Sequence, residues 1–168
     1  MSMIRVLLAD DHGVVRKGLR FLIENEEGFE VVGEAGDGRE AVRLAKELTP
    51  DVVVMDIAMP QLNGIDATAQ VLKVSPSSKV LILSMHNDES YILRALEAGA
   101  KGYILKETAE DYLLGAIRGV ARGKPFFSPA IAQTLLEDYM RNLQQKGQQD
   151  SYSLLTDRER EVLQLLAE

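Results

Sequence analysis

Residues 51–64 read DVVVMDIAMPQLNG, and no other stretch limits the possible folds as much. Val52, Val53, Val54 and Met55 are apolar without alternation and mostly β-branched, the pattern of a strand buried on both faces, as in the centre of a parallel sheet. Asp56 follows where that strand emerges, and Pro60 and Gly64 mark a loop beyond it. In an open α/β sheet the ligand crevice lies outside the carboxyl ends of the strands, so a carboxylate there stands in position for chemistry. An Asp that merely caps the next turn has the same local sequence, and the choice between the two rests on the other strand ends.

Those strands follow from the rest of the pattern. Residues 3–9 (MIRVLLA) are an apolar run ended by Asp10 and Asp11, and Val15, Leu19, Leu22 and Ile23 then recur at helical spacing. Residues 29–35 return to strand character, and the helix after the turn at 36–38 stops at Thr49-Pro50. After the strand at 52–55 comes a helix with Leu62, Ile65, Ala69 and Leu72 inward. Strands at 80–83 and 102–105 flank a helix over 89–98 that Gly99 ends, and Thr108-x-x-Asp111 predicts a capping box opening a fifth helix to about Gly119. Five strands alternating with five helices through short links predict right-handed βαβ units in a doubly wound, five-stranded parallel sheet of order 2-1-3-4-5.

This first domain closes near Gly123, giving residues 1–123. A linker is expected over 124–150: Ser128-Pro129 opens a helix with the apolar seam Ile131, Leu135, Tyr139 and Leu143, and residues 144–152 (QQKGQQDSY) have linker composition. Over 151–168, Thr156-x-x-Glu159 is a second capping box, ahead of apolar Val162, Leu163, Leu165 and Leu166.

Four strand ends carry Asp10 with Asp11, Asp56, Ser84 and Lys106, and the strand order predicts that they converge on one crevice. Three close carboxylates repel one another, so a hard divalent cation with oxygen ligands is expected, Mg²⁺ above all. An Asp carboxylate can attack phosphorus and hold the phosphoryl group as an acyl phosphate. Charge on the phosphoryl oxygens would be met by the cation, the Lys106 ammonium and the Ser84 hydroxyl. Elsewhere in a sequence Lys106 would read as a surface lysine; opposite three acids at the end of a buried strand it reads as an ion-pair partner.

On these residues the chain resembles a two-component response regulator. The acid pair Asp10-Asp11, the context MDIAMPQLNG around Asp56, the hydroxyl in LILSM and the lysine in KGYILKE fall where receiver domains carry theirs, over about 120 residues. The resemblance implies a flavodoxin-like receiver, phosphorylated on Asp56 by a partner histidine kinase, with Mg²⁺ on Asp10, Asp11, Asp56 and the Ala58 backbone carbonyl. It also implies that Tyr103 is a rotating aromatic reporting on Ser84; plain core packing is its alternative. Ser84 stands where Thr is more frequent, which leaves the hydroxyl in place. Residues 151–168 (SYSLLTDREREVLQLLAE) resemble the opening helix of the LuxR-type helix-turn-helix of NarL/FixJ-type regulators. With that helix truncated, DNA binding is expected of the full-length chain and not of these residues. Homodimerisation on activation is expected as well.

Composition narrows the field further. There is no cysteine, which excludes disulfides and thiolate chemistry and fits a cytoplasmic protein. No apolar run approaches a membrane span, and the N-terminus does not read as a signal peptide. The net charge of −7 argues against polyanion binding through the bulk of the surface. GEAGDG at 33–38 lacks the spacing of a dinucleotide loop, and His12 and His86 are isolated and lack metal-ligand spacing, His86 standing at the mouth of the crevice where it could influence hydrolysis. A phosphatase or mutase with an Asp nucleophile would carry a second Asp two residues on, where this chain has Ala58. Turnover of an external substrate is therefore not expected. The third possibility, a receiver-like module that is never phosphorylated, conflicts with the complete set of groups.

Overall fold

A computed structural model describes residues 3–145 together with Val162, Leu165 and Leu166. Strands β1 (Ile4–Ala9), β2 (Phe29–Ala35), β3 (Val52–Met55), β4 (Lys79–Ser84), β5 (Gly102–Leu105) and β6 (Phe126–Phe127) form one parallel sheet of order β2-β1-β3-β4-β5-β6. Helices α1 (Gly13–Glu24), α2 (Gly38–Leu48), α3 (Gly64–Val74), α4 (Glu89–Ala98), α5 (Ala109–Ala121) and α6 (Pro129–Gln145) connect and follow them. The expected doubly wound arrangement is present with six strands, one more than the sequence led us to expect. The extra strand, β6, is a two-residue pairing of Gly102 with Phe126 and Tyr103 with Phe127 beyond Gly123. Two residues are too few to show any period.

Alternate residues of the strands face opposite layers. Val6, Leu8, Val52, Val54, Leu81, Leu83 and Ile104 pack with Leu19 and Ile23 of α1 and with Leu113, Ile117 and Val120 of α5. Leu7, Val53, Met55, Val80, Ile82 and Tyr103 lie in the opposite layer, with Ala41, Ile65, Val71, Ile92 and Leu96 from α2, α3 and α4. Burial on both faces is what the unbroken apolar runs require, at roughly 1.5–3 kcal/mol for each fully buried Val, Leu or Ile.

Helical faces differ from the expectation in detail. Val15 is 39% exposed, and α1 is anchored through Leu19 and Ile23. In α3 the buried line is Ile65, Thr68 and Val71, with Ala69 and Leu72 half-buried, and Leu62 precedes the helix. The capping box at Thr108 does not form: its hydroxyl donates to the Leu105 carbonyl at 3.2 Å, within a 3₁₀ turn over Lys106–Thr108 that precedes α5.

The expected linker helix is α6, and it is not detached from the sheet. Ile131 and Leu135 are buried in the layer that holds Tyr103 and Ile92, with Tyr139 and Leu143 half-buried along the same seam. Arg141 forms an ion pair with Glu89 at the start of α4. Ser128 precedes α6 as expected, with its hydroxyl buried and without a hydrogen-bond partner, so it does not cap the helix through its side chain. The polar linker from Lys146 on and the capping box at Thr156 lie outside the described residues, as does most of the segment 151–168. Within that segment Val162 is helical, buried, and packed in the same layer as Ile131 and Leu135.

Candidate phosphoryl-acceptor site

β1, β3, β4 and β5 run parallel as neighbours, so their carboxyl ends open on one side of the sheet. Asp10 and Asp56 stand there, 2% and 4% exposed. The Lys106 ammonium lies between them, 3.0 Å from Asp56 Oδ2 as a hydrogen bond and 2.9 Å from Asp10 Oδ2 as an ion pair. The Asp56 amide donates to the Ala9 carbonyl at 2.9 Å, which locks β3 beside β1 just below the carboxylates. Gly64 closes the far side. Its position lies so near the Asp56 backbone that a Cβ would stand 1.9 Å from the Asp56 carbonyl oxygen, so only glycine lets α3 start there.

Carboxylate oxygens of Asp10, Asp11 and Asp56 and a ring nitrogen of His12 lie within 4.8 Å of one another. Asp10 Oδ1 accepts from the His12 amide at 2.8 Å, while the buried Oδ2 faces the Lys106 ammonium. Two buried carboxylates, a third beside them and one ammonium leave negative charge to be met. The donor set is oxygen-rich, so these residues fit a hard divalent cation. Ala58 lies exposed in the loop after Asp56, between Ile57, whose carbonyl accepts from Met59 and Gly64, and Met59.

Burial pushes the Asp56 carboxyl above the ordinary Asp value, with Asp10 adding to the rise and Lys106 opposing it. Burial alone would lower the Lys106 ammonium, but Asp10 and Asp56 outweigh it and hold the group above its usual value. The site is thus charge-frustrated at neutral pH, and Lys106 stays protonated.

Ser84 is fully buried at the end of β4, and its hydroxyl accepts from the His86 amide at 3.0 Å. Tyr103, also fully buried, donates from its hydroxyl to the His86 carbonyl at 2.6 Å, and burial pushes that hydroxyl up to about 12. Ser84 and Tyr103 therefore hold the backbone of the same residue, one at its N–H and the other at its C=O. The His86 ring instead stacks on Tyr91 at 4.7 Å.

The sequence-derived residues Asp10, Asp11, Asp56, Ser84 and Lys106 are brought to one end of the sheet, with Tyr103 on β5, the strand that leads to Lys106. His12 departs from the expectation that it is isolated. Its Nδ1 lies 3.4 Å from Asp10 Oδ1 and 3.1 Å from Asp11 Oδ1, so it is not isolated; adjacency to the acid pair was the signal. The backbone of His86 was missed too, and no residue type could have revealed it.

Residues 6–118 match the response regulator receiver domain family. This chain belongs to the response regulators of two-component systems. Among curated relatives of this response regulator, the transcriptional regulatory protein DegU of Brevibacillus brevis is 38% identical over 98% of this chain and 75% of its own length. The oxygen regulatory protein NreC of Staphylococcus carnosus is 37% identical over 98% of this chain and 77% of its own. A solved LuxR-family response regulator from Aurantimonas sp. SI85-9A1 superposes with a TM-score of 0.79 at 42% identity, covering 83% of this regulator and 99% of that chain. No helix among the described residues is long and apolar enough to cross a membrane.

Proposed function

We propose that this response regulator accepts a phosphoryl group on Asp56 from a partner histidine kinase in the cytoplasm, with Mg²⁺ bound, and thereby controls transcription. One observation carries the reading: Asp56 is a buried carboxylate at the end of a central strand, touching Lys106 and facing the acid pair. A carboxylate oxygen of Asp56 forms the bond to phosphorus as the donor's phosphorus–nitrogen bond breaks, and the imidazole leaves with the bonding pair. Asp10, Asp11, Asp56 and the Ala58 carbonyl would hold the cation, which when bound supplies positive charge against the phosphoryl oxygens. Lys106 meets a further oxygen. The Ser84 hydroxyl, now accepting from His86, can turn to donate to a third.

Turning Ser84 toward a phosphoryl group gives up its hold on His86, and the Tyr103 hydroxyl loses its fixed partner with it. The β4–α4 loop is the element that responds, and α4 and α6 lie beyond it. Output runs through a C-terminal helix-turn-helix of which residues 151–168 are the opening, and through dimerisation on activation. External substrate turnover is no part of this function. Intact mass after incubation with acetyl phosphate and Mg²⁺ tests it: one added phosphoryl group on the wild-type chain and none on Asp56→Asn is expected. A Mg²⁺-dependent shift that persists in the variant, or sustained hydrolysis of the donor, overturns the assignment.

A further inference from the structure

Arg16 lies in the first turns of α1 with 23% of its side chain exposed. Its Nε donates to Glu34 on β2 at 2.9 Å, and one Nη donates to the backbone carbonyl of Asp10 at 2.5 Å. Glu34 also accepts from Arg20 at 2.6 Å, and Arg20 reaches Glu24 at 2.9 Å. On the other side of Asp10, its amide donates to the Ala35 carbonyl at 3.0 Å. The residue that opens the acid cluster is thus tied to the end of β2 directly through its N–H, and through Arg16 at its C=O.

The charge of Arg16 is matched by Glu34, so what it supplies at Asp10 is geometry. We infer that Arg16 is a positioning residue for the cation held by the acid cluster, setting the loop over Asp10, Asp11 and His12 without touching the cation. The inference rests on the Mg²⁺-dependent phosphoryl acceptance proposed above. Mg²⁺ tolerates little deviation from octahedral oxygen distances of about 2.0–2.1 Å, so a loop free to shift weakens binding directly. Only a planar fork reaches Glu34 and the Asp10 carbonyl together; a lysine ammonium is a single point charge. Partners that orient ligands from behind commonly account for roughly tenfold to hundredfold of metal affinity.

The test titrates Mg²⁺ alone into the whole chain by calorimetry, and follows acetyl phosphate labelling by intact mass as a function of Mg²⁺. Arg16→Met should raise the dissociation constant for Mg²⁺ and the half-saturating Mg²⁺ for labelling by about tenfold or more, with the rate at saturating Mg²⁺ within about twofold of wild type. Arg16→Lys keeps the charge beside Glu34 and should show the same shift, and it carries the test if Arg16→Met does not fold at the assay temperature. Wild-type Mg²⁺ affinity in the folded variants overturns the inference. So does a lowered maximal rate at unchanged half-saturation, the mark of a structural role alone. A wild-type chain that binds no Mg²⁺ removes the proposed function and this inference with it, whereas variants that match a binding wild type remove only the role of Arg16.

Discussion

Asp56 is a carboxylate that the fold holds at a loss. Its carboxyl sits above the ordinary value of 3.8, so the folded chain binds that proton more tightly than the unfolded chain does. The resulting stability is complete below pH 3.8 and is gone once the pH passes the raised folded value; at neutral pH the ionised group is a cost. Asp56→Asn should therefore raise the melting temperature of the metal-free protein at pH 7, by roughly 2–4 °C for each ~1 kcal/mol released in a chain of this size. Calorimetry at pH 7 and below pH 3.8 checks the sign, because the difference should shrink in acid. Added Mg²⁺ should also close the gap by stabilising wild type more than the variant. A melting temperature that falls in Asp56→Asn at pH 7 without metal would contradict this account of the site.

Two elements place the chemistry, α3 and the β4–α4 loop. Gly64→Ala puts a methyl group where the Asp56 carbonyl already stands. We expect a loss of at least about 1–3 kcal/mol in urea unfolding and slower labelling of Asp56, since α3 must move away from it. At the β4–α4 loop, Tyr103→Phe removes the donor to the His86 carbonyl and leaves the Ser84 contact. Hydrogen exchange over residues 85–89 should quicken in the unphosphorylated variant, and the further change on phosphorylation should shrink; equal exchange in both proteins would remove Tyr103 from the coupling. How far these elements were readable in the sequence depended on their physics. β1 to β5 and the convergence of Asp10, Asp56, Ser84 and Lys106 were readable because runs such as VVVM admit little else than a strand covered on both faces. Thr108 misled because a hydroxyl before an acidic turn fits either a cap or a bond back to the preceding strand, and tertiary placement chose Leu105. Val15 kept helical period with Leu19 and Ile23, yet only the latter two are buried. Arg16 acts through contacts with groups that only the fold brings near, one of them a carbonyl that every residue possesses, whereas His12 pairs with its own sequence neighbours Asp10 and Asp11.

At the scale of the whole molecule, α6 belongs to the packed layer of the receiver. Leu135→Ala should reduce stability by about 2–5 kcal/mol in chemical unfolding, as for a core leucine, whereas a freely held linker would lose almost nothing. Arg141→Ala removes an exposed ion pair with Glu89 and should change stability by less than about 1 kcal/mol. The segment 151–168 carries a net charge of −2 within a chain of −7. These 168 residues should therefore show no sequence-specific DNA binding by anisotropy at low salt in either phosphorylation state, while a chain carrying a complete helix-turn-helix should bind, and more tightly once phosphorylated. β6 bears on how such chains could be divided. Its two residues occupy the outer edge of β5, and the amide of Ser128 bonds to the Tyr103 carbonyl just beyond them. A receiver ended at Gly123 would bare that edge along Gly102 and Tyr103, leaving backbone groups of a buried strand open. Such an edge is a template for a second copy, so the shortened protein would be drawn toward edge-to-edge association and aggregation, and a minimal soluble unit has to run past Phe127.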